Sequence, residues 1–197
     1  MTAIIAMDRR KFLAAGGLAA TAALLPARLS AATPADMLSR VQAALTRHAI
    51  PMRDTVGIAD FGTHSSKPRF HLLDMQSGRI TSLLVAHGRG SDPAHTGWVE
   101  RFSNLEGSNA SCSGAFRTAD AYVGQHGNSR RLEGLDAENN AAMERAIVIH
   151  GADYVSAARA AAGPVGRSFG CFAFAQADIA QVLQRLGPGR LLLAYKA

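Results

Sequence analysis

From residue 56 to residue 195 the chain is cut into short apolar runs by glycine, proline, serine, asparagine and aspartate, and this punctuation constrains the fold more than anything else in the sequence. Apolar runs of this length, bounded by turn formers, suit strands and are too short for most helices. Strand-like pieces fall at residues 56–61, 70–74, 79–87, 115–123, 129–132, 146–150 and 191–195. Met75-Gln76-Ser77-Gly78 supplies a turn between the second and third runs, which therefore read as a hairpin. Residues 88–114 contain Pro93, are rich in Gly, Ser, Asn and Asp, and show no sustained period, so a long loop is expected there. Two segments have helical spacing. In the first, Thr33 is placed as N-cap, Pro34 at the first helical position and Asp36 near the positive end of the dipole, with Met37, Val41, Ala44 and Leu45 on one face. Pro51 should end it. In the second, residues 176–186, Ile179, Val182, Leu183 and Leu186 form the apolar face, Gly187 follows as a C′ residue and Pro188 blocks continuation. The expectation is one mainly β domain with an N-terminal and a C-terminal helix, and no internal repeat or linker.

The first thirty residues stand apart. Met7-Asp8-Arg9-Arg10-Lys11-Phe12-Leu13 is a basic cluster, followed by an uncharged run over residues 14–25 that Pro26 ends. That run is shorter than the roughly 20 residues a membrane span requires and has the form of an export signal. Arg9-Arg10-Lys11-Phe12-Leu13 resembles the twin-arginine type, and Ser30-Ala31-Ala32 offers small side chains for cleavage after Ala32. The mature domain is then 33–197, with no membrane span, and its expected place is the periplasm or cell envelope. Removing residues 1–32 takes Lys+Arg from 21 to 17 and Asp+Glu from 15 to 14, so the formal charge falls from +6 to +3. The longest basic run left is Arg130-Arg131, without interleaved aromatics, and a nucleic-acid partner is not expected. Two cysteines in 197 residues exclude a disulfide-dense scaffold and a four-cysteine zinc site.

The chemistry concentrates in two places. Ala146-Ile147-Val148-Ile149-His150-Gly151 reads as a buried strand ending in a histidine, and residues 163–171 form a glycine-rich loop ending in Cys171. A free thiol, with a pKa near ~8.5, is mostly protonated at neutral pH, so a neighbouring imidazole that takes its proton makes it a useful nucleophile. The loop glycines allow the N–H groups around Gly170 and Cys171 to turn toward one point, where an oxyanion could be held.

His150-Gly151, followed after a spacer by Ser168-Phe169-Gly170-Cys171, resembles the signature of the L,D-transpeptidase (YkuD-like) catalytic domain. Tyr122-Val123-Gly124-Gln125-His126-Gly127-Asn128-Ser129, Leu132-Glu133-Gly134-Leu135, Asn139-Asn140, Arg145 to His150 and Gly166-Arg167-Ser168 are similar to the variant branch called the murein L,D-transpeptidase catalytic domain family. The resemblance implies a β-sandwich-like fold acting on peptidoglycan stem peptides. Cys171 would attack the bond between a diamino acid and a D-alanine, and an amine of a neighbouring stem would resolve the acyl-enzyme into a cross-link. Carried over, Cys171 is the nucleophile and His150 the base; the Gly151 carbonyl orients the ring, and Ser168 and Gly170 shape the loop. No cofactor is implied. Many members have a histidine where this chain has Phe169, so contacts at that position differ. Resolution by water would make the protein an L,D-carboxypeptidase instead.

Beside the pair, Arg167 is a candidate to hold a substrate carboxylate through its guanidinium fork, and His126 is a candidate for the cleft lining. Tyr122 reads as core first and cleft second. Cys112 is expected to be free; a bridge to Cys171 would disable the nucleophile and leave a non-catalytic wall-binding domain. His64, His71, His87 and His95 match no zinc spacing, and no metal is expected.

Overall fold

The computed structural model describes residues 34–197; the export segment, its cleavage point and the Thr33 cap lie outside them. Helix α1, Pro34–Arg47, has Asp36 in its first turn and Arg47 in its last, and buries Met37, Val41, Ala44 and Leu45. Strand β1 (Met52–Asp60) is buried continuously over its second half because α1 covers one face and the main core the other. β2 (Phe70–Asp74) and β3 (Ile80–Leu83) form the expected hairpin. Its turn is set by the Asp74 carboxylate, which accepts the Gln76 and Ser77 amides at 3.1 and 2.9 Å, and by Gly78 at φ 71°.

β4 (Gly114–Gly124) and β5 (Gly127–Gly134) make a long antiparallel hairpin with a bulge on β4 between Thr118 and Ala121. β6 (Val148–Gly151) follows β5 and pairs in parallel with β7 (Phe172–Phe174). The crossover between them contains α2, Ala157–Ala162, with Ser156 as N-cap accepting the Arg159 amide. Helix α3 (Ile179–Arg185) precedes β8 (Arg190–Tyr195), which inserts in parallel beside β1 and antiparallel to β4.

The eight strands form one sheet in the order β3-β2-β1-β8-β4-β5-β6-β7. This corrects the expected two-layer sandwich: the hydrogen bonding runs without a break across all eight strands, and the sheet curls until its two edges approach. They meet where Ala86, just after β3, donates its amide to the Ala173 carbonyl of β7 at 2.9 Å. The result is a nearly closed barrel of mainly β structure around Phe61, Phe70, Phe116, Phe172 and Phe174. Phe70 and Phe174 meet edge to face, with centroids 4.7 Å apart.

Several boundaries differ from the sequence expectation. The run 79–87 is divided, because the Val85 carbonyl is taken by the buried guanidinium of Arg69, at 3.1 and 3.0 Å, instead of by a ladder. β6 starts at Val148, after Ala146 adopts φ 50°. The second helix starts at Ile179 because residues 176–178 form a turn. β7 and α2 were not expected at all.

Arg69 also bonds His87 Nδ1 at 2.6 Å, and His87 Nε2 lies 3.2 Å from Asp92. All three side chains are buried. Burial first, and then the adjacent Arg69 charge, pull His87 from 6.5 down to about 3. Unfolded chains therefore bind a proton at His87 that the folded chain refuses, so its contribution to stability is complete above about pH 6.5 and is lost as pH falls toward about 3. In urea titrations between pH 7 and 4, stability should fall with acidification, and His87→Gln should remove up to about 1.4 kcal/mol per pH unit of that slope. An unchanged slope in the variant would contradict the assignment.

Candidate active site

His150 comes from the C-terminal end of β6 and is 2% exposed. Its Nδ1 lies 2.9 Å from the Gly151 carbonyl, an oxygen that can only accept, so Nδ1 carries the proton and Nε2 presents a lone pair. The ring stacks on His126, at the β4–β5 turn, with centroids 4.2 Å apart and planes 22° apart. Burial lowers the His150 pKa; the Gly151 bond opposes this and the His126 charge adds to it. The imidazole is therefore neutral at pH 7.

β6 and β7 bring the cysteine to the same sheet face. Ile149 pairs with Phe172 and His150 with Ala173, so Cys171, one step earlier, lies across from Val148. Side chains at i and i+2 share a face, which puts His150 and Cys171 one pleat apart. The Cys171 thiol donates to the Ala146 carbonyl at 3.5 Å, an oxygen aimed there by the left-handed backbone of Ala146. Among the described residues no hydrogen bond joins its sulfur to His150. Burial pushes the Cys171 thiol above its ordinary value, opposed by the Val148 amide, the Arg145 charge and its own amide. The resting site thus holds a thiol and a neutral imidazole.

The loop before the cysteine is tightly fixed. Ser168 Oγ donates to the Cys171 carbonyl at 2.8 Å and accepts the Gly170 amide at 3.1 Å. This amends the expected oxyanion arrangement, because the Gly170 N–H is already engaged; the amides facing the sulfur are those of Val148 and Cys171. Gly170 sits at φ 121°, and a Cβ there would come within 2.7 Å of Ile147 and 2.8 Å of the Ala110 carbonyl, so only glycine fits. Ser168 is bonded to the chain on both sides of Gly88, accepting from the Arg89 amide at 2.8 Å and donating its own amide to the His87 carbonyl at 2.9 Å.

The remaining candidates separate. Arg167 donates through Nη1 to the Asp92 and Pro93 carbonyls, which makes it a clamp between two loops and engages one nitrogen of its fork. Tyr122 is half-buried on the outer face, not in the core, and lies under the Arg131 guanidinium at 4.6 Å. His126 and Gly151 line a cavity of about 470 Å³ with Gln125, Tyr154 and Gln176. Phe169 is 63% exposed beneath the Arg89 guanidinium at 4.3 Å. Cys112 and Cys171 are both free. His64 bonds Ser66 and the Thr96 carbonyl, His71 bonds Ser82, His87 bonds Arg69 and Asp92, and His95 bonds the Val165 carbonyl, and no group of three metal-ligating side chains gathers among the described residues.

One residue unmarked as a site candidate in the sequence is central here. Arg145 reaches under the Gly170–Cys171 turn and donates from Nη1 to the Ser103 carbonyl and the Cys112 sulfur, both at 2.7 Å, and from Nη2 to the Ala110 carbonyl at 2.6 Å. It ties the long loop to the floor of the site and places a positive charge near both sulfurs. Its only sequence signal is its position at the head of the 145–150 stretch.

A half-exposed thiol and a buried neutral imidazole on neighbouring parallel strands suit thiol acyl chemistry. Residues 30–195 match the L,D-transpeptidase catalytic domain family, and the chain belongs to that family. No curated protein matches it. Partly similar solved structures include an L,D-transpeptidase from Mycobacterium smegmatis, at 11% identity and TM-score 0.44 over 72% of this chain and 58% of that one. Another is an L,D-transpeptidase from Mycobacterium tuberculosis H37Rv, at 12% and 0.47 over 73% and 58%. A third is the helical cell shape determining protein Pgp2 from Campylobacter jejuni, at 10% and 0.48 over 75% and 48%. The chain spans about half to three-fifths of the length of these proteins. Among the described residues no helix is long and apolar enough to cross a membrane.

Alkylation should report the state of the site. Because burial holds the Cys171 thiol above its ordinary value, its iodoacetamide rate should keep rising through pH 9 with no plateau near neutrality. Cys112, 1% exposed, should label only after unfolding. A neutral-pH plateau at Cys171 would show a resting thiolate pair with His150 and refute the assignment.

Proposed function

We propose that this chain is an exported L,D-transpeptidase domain in which Cys171 carries acyl groups of peptidoglycan stem peptides. The observation that supports this most directly is the His150–Gly151 hydrogen bond at 2.9 Å, which leaves Nε2 as a base on the face shared with Cys171. Substrate entering over β6 and β7 turns the thiol from the Ala146 carbonyl toward His150, which takes the proton as sulfur attacks the carbonyl of the diamino acid. The Val148 and Cys171 amides favour negative charge on the sulfur, and this reading assigns the developing oxyanion to them. As the C–N bond breaks, His150 returns its proton to the amine of the leaving D-alanine. A side-chain amine from a second stem then attacks the thioester, His150 again accepts a proton, and the thiol is released as the cross-link forms. Water in place of that amine would give the L,D-carboxypeptidase outcome. The basic N-terminal segment, read as an export signal, supports a place in the periplasm or cell envelope, where such a substrate lies.

Intact-mass analysis of disaccharide-tetrapeptides incubated with the protein tests the reaction. A dimer lighter by one alanine is expected, together with a transient adduct on Cys171. Cys171→Ala should abolish both, and His150→Gln should lower turnover by about 10²-fold or more. Full turnover in Cys171→Ala would refute the proposal, and tripeptide without dimer would assign hydrolysis.

A further inference from the structure

We propose that His126 is a positioning residue for the base: its ring, stacked on His150, holds the plane of that imidazole so that Nε2 stays aimed at the face shared with Cys171. This rests on the acyl-transfer function above, in which His150 moves the protons, and it gives His126 a role distinct from lining the cleft.

The turn that carries His126 leans over the end of β6. Gly124 pairs with Gly127, so Gln125 and His126 form the tip of the β4–β5 hairpin. Gly127 takes the left-handed step at φ 72°, and His126 itself needs no left-handed backbone. Ser129 pairs with His150, and β6 ends one residue later at Gly151, so the tip of the hairpin reaches past the end of β6. From there the His126 ring turns back onto His150, with centroids 4.2 Å and planes 22° apart. His126 is exposed and His150 buried, so the outer ring stands between the inner one and solvent.

Two restraints are needed to fix this ring, because the outer torsion of a histidine side chain has only a broad preference. The bond from Nδ1 to the Gly151 carbonyl at 2.9 Å holds one edge of His150 and leaves the tilt of its plane free. A flat neighbour against the face removes that freedom, and His126 supplies it. The His126 ring is held in turn by its one hydrogen bond among the described residues, from Gln125 Nε2 to its own Nε2 at 3.2 Å. An amide nitrogen can only donate, so His126 accepts there and is neutral in this arrangement. The two rings also act on each other through charge. The charged and titratable groups on the surrounding elements are Arg131 on β5, Arg145 ahead of β6, Asp153 and Tyr154 after it, Cys171 on β7 and Asp178 at the head of α3. The charge that moves His150 is that of His126, which lowers its pKa and so opposes a proton on the base.

The test separates the ring from its charge. His126→Ala removes both, and His126→Phe keeps a flat ring without charge. With a disaccharide-tetrapeptide substrate at about pH 8, His126→Ala should lower kcat about tenfold with KM little changed, and His126→Phe should recover most of that loss. In the Cys171→Ala protein, where no turnover is needed, NMR titration of the His150 ring should shift upward in both variants, because the opposing charge is gone. His126 lies exposed at a turn, so neither change should move the melting midpoint. An unchanged kcat in His126→Ala, or a loss that His126→Phe does not recover, would overturn the positioning role. A rise in KM with kcat unchanged would make His126 a wall of the cleft and overturn it equally. An unmoved His150 titration in both variants would overturn the contact itself, whether or not the protein transfers acyl groups. A shifted titration in a protein that performs no acyl transfer would overturn the proposed function and leave the stacked pair standing.

Discussion

The fully buried guanidinium of Arg69 is the contact on which the architecture turns. It donates to the Val85 carbonyl, to the Thr63 carbonyl and toward His87, and Asp60 and Asp92 supply compensating charge. Burial pulls it down to about 9, which still leaves a cation at neutral pH. A buried cation of this kind is tolerated only when its donors are satisfied. By taking the Val85 carbonyl it ends the β2–β3 pairing and releases the following residues to meet β7 at Ala173 and the glycine-rich loop at Ser168. The sheet closes and the loop before Cys171 is fixed through the same few residues. Asp92 extends the network by accepting the Thr96 and Gly97 amides, so the long 88–114 loop is anchored from inside.

That dependence explains which parts of the fold were legible. The β2–β3 hairpin was, because Asp74 and Gly78 form its turn locally; so was α1, whose buried face recurs at helical spacing after Pro34. β7 was not, since Phe172-Ala173-Phe174 is three residues long and becomes a strand only by pairing with β6 and Ala86. α2 was not, because none of its six residues is buried and it has no apolar period; Ser156 was its only signal. The single curled sheet was equally hidden. Strand positions follow from local pattern, but whether strands join one sheet or two depends on non-local pairing such as β8 inserting between β1 and β4.

The candidate site divides in the same way. His150 and Cys171 could be picked out because their chemistry is unusual and their neighbours are glycines. The arginines could not be ranked, since a guanidinium's role is set by what surrounds it. Arg167 looked suited to an anion and proves to be a clamp on two carbonyls. Arg145 looked ordinary and lies beneath the Gly170–Cys171 turn with two thiols in its field.

The electrostatics of the pair point to a site that stays quiet until occupied. Burial raises the thiol and lowers the imidazole, so both groups are neutral at rest and proton transfer between them is unfavourable. The Ala146 carbonyl reinforces this by accepting the S–H in a direction away from His150. The Val148 and Cys171 amides oppose burial and favour negative charge on the sulfur, and in the reaction proposed above they act once substrate turns the thiol from that carbonyl. In that reaction, activation then depends on substrate binding and not on a standing thiolate, and a resting thiol is also less open to oxidation, since the thiolate is the reactive form.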